Sequence, residues 1–279
     1  MQKVIKVSSS EIPALLERIG RLYPDRHRRD YHWQFDGPDC KIMVYDTGTI
    51  MIQGKQIPDD LLPMVESRVV QTWGIGTDES GKGDIFGGIC VAAAYVDETL
   101  HARVRHLRIT DSKVLSEKQL HQVGEQLESV IPHRIIRLDP AEYNQMYQRF
   151  NNINLMLADL HAQAAESVME LTGCRTVICD QFSQSPAVLR KAMPPSLHLI
   201  QEHHAESRYI SVAAASILAR RAFIRHLDQL SQRLELTLPR GATISRRDLY
   251  NLTASISHHD MQYVAKLHFK PIRQRLGLD

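Results

Sequence analysis

The alternation of hydrophobic and polar positions changes character about a quarter of the way along the chain. Over residues 1–70 the apolar runs are short and separated by polar residues. Val4, Ile5 and Val7 predict a strand, and Ile12, Leu15, Leu16, Ile19 and Leu22 recur at helical spacing behind Ser10, a predicted cap. Tyr31 to Phe35 and Lys41 to Tyr45 read as strands joined by a turn at Gly37-Pro38-Asp39. Thr47-Gly48-Thr49 is a hairpin signal leading into Ile50 to Gln53. A second helix is expected from Asp59 to Gln71, after Pro58. This stretch predicts a small α+β unit.

From Trp73 onward the apolar runs lengthen. Gly74 to Thr77 and Gly88 to Val96 are apolar enough for central strands covered on both faces. Ser116 caps a predicted helix to Val130, and His133 to Leu138 is the third strand. Leu155, Leu160, Ala164, Val168 and Leu171 mark a strongly periodic helix over Asn154 to Leu171. Arg175 to Asp180 and Leu197 to Gln201 are further strands around a short helix, Pro186 to Met193. Ile210 to Leu230 is a helix whose Ala213-Ala214-Ala215 permits close packing. Strands followed by alternating helices and strands predict an α/β domain over residues 71–279. No internal repeat or low-complexity segment interrupts it.

Composition narrows the class without naming a function. At 279 residues, 43% hydrophobic and 24% charged, the chain has the make-up of a globular protein of one large or two modest domains. A net charge of +2 means that any nucleic-acid surface must come from local clustering. Arg26-His27-Arg28-Arg29, close to Tyr31 and Trp33, is one such cluster, although Asp25 and Asp30 dilute it and a solvated loop with buried aromatics is the preferred reading. The four cysteines, Cys40, Cys90, Cys174 and Cys179, form no C-x-x-C pair and sit mainly in apolar runs, and the fourteen histidines carry no zinc spacing. The N-terminus lacks the apolar region of a signal peptide, and no run approaches the ~20 residues of a membrane span. A reduced, cytoplasmic protein is expected.

One stretch is not explained by folding. Gly74-Ile75-Gly76-Thr77-Asp78-Glu79-Ser80-Gly81-Lys82-Gly83-Asp84 runs a predicted strand into two adjacent carboxylates, then a Gly-Lys-Gly turn and a third acid. Acids are poor strand formers, and a carboxylate at a buried strand end is costly unless paired or bound to a cation. Gly81 and Gly83 let the backbone approach a ligand, and Lys82 places a positive charge between them. Acids for a metal beside a basic turn for a polyanion suggest phosphodiester chemistry. Gly76 to Lys82 also fits G-x-x-x-x-G-K, but Gly83 stands where a P-loop needs Ser or Thr, and two acids would face the phosphates. On its own, the window is as compatible with a polar turn as with a site.

The string Asp78-Glu79-Ser80-Gly81-Lys82-Gly83-Asp84, followed by Phe86-Gly87, resembles the first catalytic motif of the type 2 ribonucleases H, and specifically ribonuclease HIII, which has Lys rather than Arg between the glycines. The family pattern usually continues Phe-Gly-Pro; here Gly88 follows, which is expected to loosen the turn. Asp180-Gln181-Phe182 is similar to the third motif, although alone Asp180 reads as a strand-ending turn or cap. Glu206, in Glu206-Ser207-Arg208-Tyr209, matches the acid that precedes a Ser-Lys-Tyr-like triplet. It is Glu in ribonuclease HIII and Asp in ribonuclease HII, and Arg208 departs from the usual Lys. Asp111-Ser112-Lys113 resembles the family's Asp-Ser-Lys loop, where Lys113 alone would be a solvated lysine. His268-Phe269-Lys270 also resembles a family segment, interrupted by Pro271, and is assigned no role. The N-terminal unit is similar to the half-repeat of the TATA-binding-protein fold that ribonuclease HIII carries and ribonuclease HII lacks.

The resemblance implies a ribonuclease-H-like mixed five-stranded sheet with flanking helices at 71–279, preceded by a TATA-binding-protein-like substrate-binding domain at 1–70. It implies endonucleolytic hydrolysis of the RNA strand of RNA–DNA hybrids, giving 5′-phosphate and 3′-hydroxyl ends. Asp78, Glu79, Asp180 and Glu206 are then the catalytic acids and the ligands of two Mg²⁺ or Mn²⁺ ions. Gly81, Lys82 and Gly83 are implied to contact the minor groove, and Lys113 a phosphate. Asp84 is implied to support the turn or the ligands from outside the metal site. The partner is an RNA–DNA hybrid, with no membrane, no obligate protein partner and a monomeric state expected. Two alternatives remain: ribonuclease HII-like cleavage at single ribonucleotides embedded in DNA, and a non-catalytic hybrid-binding protein.

Overall fold

The structure, a computed structural model, describes residues 2–6, 12–55, 72–107, 109 and 112–278. The predicted cap Ser10 and the predicted helix Asp59 to Gln71 lie outside the described residues. The chain forms two compact units, Met1–Val70 and Gln71–Asp279.

In the first unit five strands, β1 (Gln2–Lys6), β2 (Arg26–Arg29), β3 (His32–Asp36), β4 (Cys40–Tyr45) and β5 (Thr49–Gly54), pair antiparallel in the order β1-β5-β4-β3-β2. Helix α1 (Ile12–Leu22) supplies Ile12, Leu15 and Ile19 to a core shared with Phe35, Ile42, Val44, Ile50 and Ile52. Alternation decides which side faces this core: in β4, Cys40, Ile42 and Val44 are buried while Lys41 is exposed. The Arg26–Arg29 run is a strand, not a loop. It pairs with β3 from Arg26↔Phe35 to Arg29↔His32, so its backbone is satisfied on one side while all four side chains stay exposed. Arg26 and Arg28 lie 5.5 and 5.6 Å from the centre of the Trp33 ring, and Arg28 forks onto Asp46 at 2.9 and 2.8 Å. A charged edge strand of this kind discourages pairing with other chains.

The second unit is built on β6 (Gly74–Ser80), β7 (Ile89–Val96), β8 (His133–Leu138), β9 (Thr176–Asp180) and β10 (His198–Glu202), in the order β10-β9-β6-β7-β8. β6, β7 and β8 are antiparallel neighbours, and β9 and β10 extend the sheet in parallel from the free side of β6. Helices α2 (Glu98–Val104), α3 (Glu117–Val130), α4 (Pro140–Phe150), α5 (Ile153–Thr172), α6 (Ala187–Ala192), α7 (Ile210–Leu234), α8 (Arg246–Leu252) and α9 (Lys270–Leu276) surround it. β7 shows why its sequence is apolar throughout: Ile89, Val91 and Ala93 pack with α5 on one face, while Ala92, Ala94 and Val96 pack with α3 and α7 on the other. Ser116 caps α3 as expected, in a reciprocal capping box with Gln119. α4 was not predicted from periodicity, because its buried face includes the polar Asn144, whose amide bonds the backbone of Gln262, Ala265 and Leu267.

Two glycines set how tightly these layers close. A Cβ on Gly76 would fall 2.1 Å from the carbonyl carbon of Ser211, so only glycine lets the start of α7 lie on β6. Gly88 does not loosen its turn: a Cβ there would fall 1.7 Å from the Leu138 carbonyl oxygen, so the backbone is wedged against the end of β8. Pro271 does not disturb its segment either, since it occupies the first turn of α9, where its missing N–H costs nothing. Among the described residues no helix is long and apolar enough to cross a membrane.

Candidate active site

The chemistry-bearing residues gather where β6 and β9 end side by side. The parallel ladder between these strands runs from Ile75↔Val177 to Thr77↔Cys179, which brings Asp78 and Asp180, the next residues, level with each other. Successive strand residues point to opposite faces of a sheet. Gly76, packed on α7, and Ile178, packed on Val212 of α7, fix one face; Asp78 and Asp180 share their parity. The Ser216 hydroxyl of α7 bonds Asp78, and the Glu79 N–H donates to Asp78 Oδ1 at 2.9 Å. Thr77 and Glu79 turn to the other face, toward α5, where both meet His161.

Burial, followed by the adjacent Glu79 charge, pushes the Asp78 carboxyl up to about 7. Two acids this close in a dry setting resist joint ionisation unless a cation is supplied. Glu79 has local help. Burial pushes its carboxyl up, but the His161 hydrogen bond and the Lys82 charge more than offset this and hold it below the usual range. Lys82 Nζ lies 3.8 Å from Glu79 Oε1, donates to the Phe182 carbonyl at 3.1 Å and sits 5.3 Å from the Phe182 ring centre.

Glu206 arrives by a different route. It lies in the 3₁₀ turn Ala205–Ser207 just before α7, and the Ala205 N–H donates to Asp180 Oδ1 at 3.2 Å. That bond ties the segment carrying Glu206 to the end of β9. Glu206 Oε2 is buried and has no hydrogen-bond partner among the described residues, and its Oε1 is 4.0 Å from His204 Nδ1. An unsatisfied buried carboxylate oxygen is expensive, and a bound cation removes that cost. Among the described residues no three Asp, Glu, His or Cys side chains form a ready metal cage. Three of the acids have protein partners: Asp78 bonds Ser216, Glu79 meets His161 and Lys82, and Asp180 accepts from Ala205. The donor set nevertheless fits a hard divalent cation, being carboxylate oxygen throughout.

The two glycines of the turn after β6 face different surroundings. Gly81 has φ +97°, and a Cβ on it would strike the Phe223 ring at 2.5 Å, whereas Gly83 faces open space. Asp84 anchors the turn: its Oδ1 accepts from the Gly241 N–H at 2.6 Å, and its carbonyl accepts from Lys266 Nζ at 2.6 Å. Lys113 lies in the 3₁₀ turn Ser112–Val114, described there by its backbone. Its neighbour Ser112 is buried and shares a 2.9 Å hydroxyl bond with Ser216, the residue that bonds Asp78, so this loop is coupled to the acid cluster. Arg220 also bonds the Ser112 carbonyl.

Four participants were not found from sequence. Thr77, His161 and Ser216 look like core positions, and Phe182 was noted only as part of a motif. A signal existed for His161 alone, a histidine set among Leu157, Leu160, Ala164 and Ala165 on the buried face of α5. Glu202 and Arg208 form a further pair beside the site, the guanidinium lying 5.8 Å from the Tyr209 ring centre. Pairing with Glu202 is what Arg208, in place of the usual Lys, does here.

A mixed five-stranded sheet in this order, with carboxylates at the adjoining ends of its central parallel strands, defines the ribonuclease-H-like class of nuclease. The profile of the family described as Ribonuclease HII matches residues 75–271. The chain is 34% identical to ribonuclease HIII of Protochlamydia amoebophila (strain UWE25) over 250 residues, covering 84% of this chain and 83% of that one. It is 33% identical to ribonuclease HIII of Chlamydia felis (strain Fe/C-56) over 260 residues, covering 87% and 86%. The crystal structure of Bst-RNase HIII in complex with Mn²⁺ is similar over 100% of this chain and 99% of its own, with TM-score 0.71 and 26% identity. Aquifex aeolicus RNase H3 is similar over 96% and 100%, with TM-score 0.61 and 28% identity. The chain belongs to the ribonuclease HII family, in its ribonuclease HIII group.

Proposed function

We propose that this protein is a metal-dependent endonuclease that hydrolyses the RNA strand of RNA–DNA hybrids, leaving 5′-phosphate and 3′-hydroxyl ends. The observation that carries the reading is the levelling of Asp78 with Asp180 on parallel strands, with the Glu206 segment hydrogen-bonded to Asp180. Folding alone gives no reason to collect carboxylates there. Asp78, Glu79, Asp180 and Glu206 would hold two Mg²⁺ or Mn²⁺ ions, and the Mn²⁺ complex of Bst-RNase HIII supports that choice. Bound ions supply an activated water and neutralise charge on the leaving oxygen.

The remaining roles belong to side chains and backbone of this chain. Lys82, partly exposed, offsets phosphate charge at the turn. Gly81 and Gly83 let the backbone reach the shallow minor groove, where 2′-hydroxyls mark the RNA strand. Lys113 contacts a phosphate near the scissile bond. Residues 1–70 form a substrate-binding domain, and the Arg26–Arg29 edge offers exposed cations beside an aromatic ring. The protein works in the cytoplasm as a monomer, and cysteines that form no disulfide fit that reducing compartment.

Two labelled duplexes test this, one with a continuous RNA strand and one with a single ribonucleotide in DNA. Each is incubated with Mg²⁺, with Mn²⁺ and with EDTA. Metal-dependent cutting of the first with little of the second is expected, and binding should weaken steeply with salt. Efficient cutting at the lone ribonucleotide would move the assignment to ribonuclease HII-like cleavage. Tight hybrid binding without cutting would leave a binding protein.

A further inference from the structure

His161 is fully buried on α5, yet both of its ring nitrogens have polar partners at the end of β6. Nδ1 is 2.9 Å from Thr77 Oγ1, and Nε2 is 3.2 Å from Glu79 Oε2. The ring is stacked on Phe182, 5.0 Å between centroids at 16°. Phe182 in turn offers its carbonyl to Lys82, so the ring that steadies His161 belongs to the residue that steadies Lys82. Thr77 and Glu79 are two apart on one strand and so face the same side, which is what lets one imidazole span both.

We propose that His161 is a positioning residue for Glu79, with Thr77 selecting the tautomer it uses. A carboxylate oxygen only accepts, so Nε2 must carry the proton that is donated to Glu79. In that tautomer Nδ1 is a bare acceptor, and the Thr77 hydroxyl at 2.9 Å donates to it, with the Cys179 thiol farther off at 3.7 Å. The Thr77 side chain is fully buried, which keeps water from competing for Nδ1. One Glu79 oxygen is thereby fixed by α5, while the other stays near Lys82 at the mouth of the site. Asp78 has no such clamp, its bonds coming from the neighbouring N–H and from Ser216 on α7. His161 therefore determines how far Glu79, on the face opposite Asp78, can turn toward an ion shared with it. Ligand-orienting residues of this kind typically change metal affinity or activity by 10–100-fold. The inference rests on the nuclease reading, because it assigns Glu79 to the metal.

Three variants separate positioning from packing: His161→Met, which fills the space without a donor, His161→Gln, which restores an N–H, and Thr77→Val, which removes only the hydroxyl. Mn²⁺ affinity is measured by calorimetry without substrate, together with kcat and KM on a uniform hybrid and thermal melting. His161→Met should lose about 10–100-fold in Mn²⁺ affinity and in kcat with KM for the hybrid unchanged. His161→Gln should recover most of that loss, and Thr77→Val should show a smaller loss in the same two quantities. If His161→Met does not fold, Thr77→Val decides: unchanged Mn²⁺ affinity overturns the proposal. Wild-type-like Mn²⁺ binding by a folded His161→Met, or equal damage in Met and Gln variants, overturns it as well. A wild type that neither binds Mn²⁺ nor cuts hybrid overturns the nuclease reading and this inference with it, a result distinct from either.

Discussion

The two five-stranded sheets of this protein tolerate charge in opposite places. In the N-terminal sheet one face packs on α1, and cations occupy an open edge where water solvates all four side chains of β2. In the second sheet β6 is central and covered on both faces, so its only tolerable positions for acids are the last residues of the strand. There the carboxylates are half-buried, their ionisation is shifted, and each is held by a named donor. An exposed charge is solvated and weakly coupled; a charge at a covered strand end has to be used or compensated. The same residue types thus carry different information in the two sheets.

Asp78→Asn breaks the contrast most severely. Cleavage should fall on the order of a thousandfold or more, while the metal-free protein melts higher, because a neutral amide ends the repulsion with Glu79. Steady-state cleavage paired with calorimetry reads both, and a variant that cuts normally removes Asp78 from the reaction. Mn²⁺ should stabilise the wild type by about 2.7 kcal/mol at a hundredfold excess over its Kd, and Asp78→Asn by much less. A melting temperature that ignores Mn²⁺ and EDTA alike would count against metal binding by these acids.

Packing effects come next. Gly76→Ala should cost about 3 kcal/mol by forcing α7 from β6, whereas Gly83→Ala, facing open space, should stay within about 0.5 kcal/mol. Urea unfolding distinguishes the two; equal losses would mean that the layer contact is not as tight as the distances imply.

Lys266 sharpens the comparison from inside the core. It is fully buried between the Tyr143 and Phe223 rings, 5.2 and 5.9 Å from their centres, and burial lowers its pKa from 10.5 to about 7. Between those values the unfolded chain binds a proton that the folded chain does not, so stability rises with pH across that window. Lys266→Met removes the dependence. Its stability relative to wild type should be constant below about pH 7 and then decline by about 1.4 kcal/mol per pH unit toward pH 10. Parallel curves for the two proteins would show that Lys266 stays charged in the fold. At the exposed edge, Arg28→Ala should leave the melting temperature unchanged, because water replaces the Asp46 pair; a clear drop there would end the contrast between the sheets.

Much of the fold was legible because local patterns carried it. The alternation in β4, the cap at Ser116 and the apolar stripe of α5 each led to the right element within a residue or two. α4 was missed because its buried face uses Asn144, and the Arg26–Arg29 strand because an edge can be polar on both sides. In the site, Asp78, Glu79 and the Gly-Lys-Gly turn stood out as residues that folding does not require, whereas Asp180 and Glu206 were picked out only by the family resemblance. His161 and Ser216 did not, since a buried polar side chain shows its purpose only through a partner 82 or 138 residues away, Glu79 or Asp78.

The sequence by itself determined most of the element types, and its short motifs carried the family resemblance that pointed to the acids, because these depend on residues within a few turns or strands of one another. Only the tertiary structure decided that Asp78 faces α7 with Asp180 while Glu79 faces α5. The parity of one strand becomes a division of labour only after helices cover both sides of it. The same closure selected His161 and Ser216 as partners, since hydrogen bonds across a core are set by which surfaces meet and not by distance along the chain.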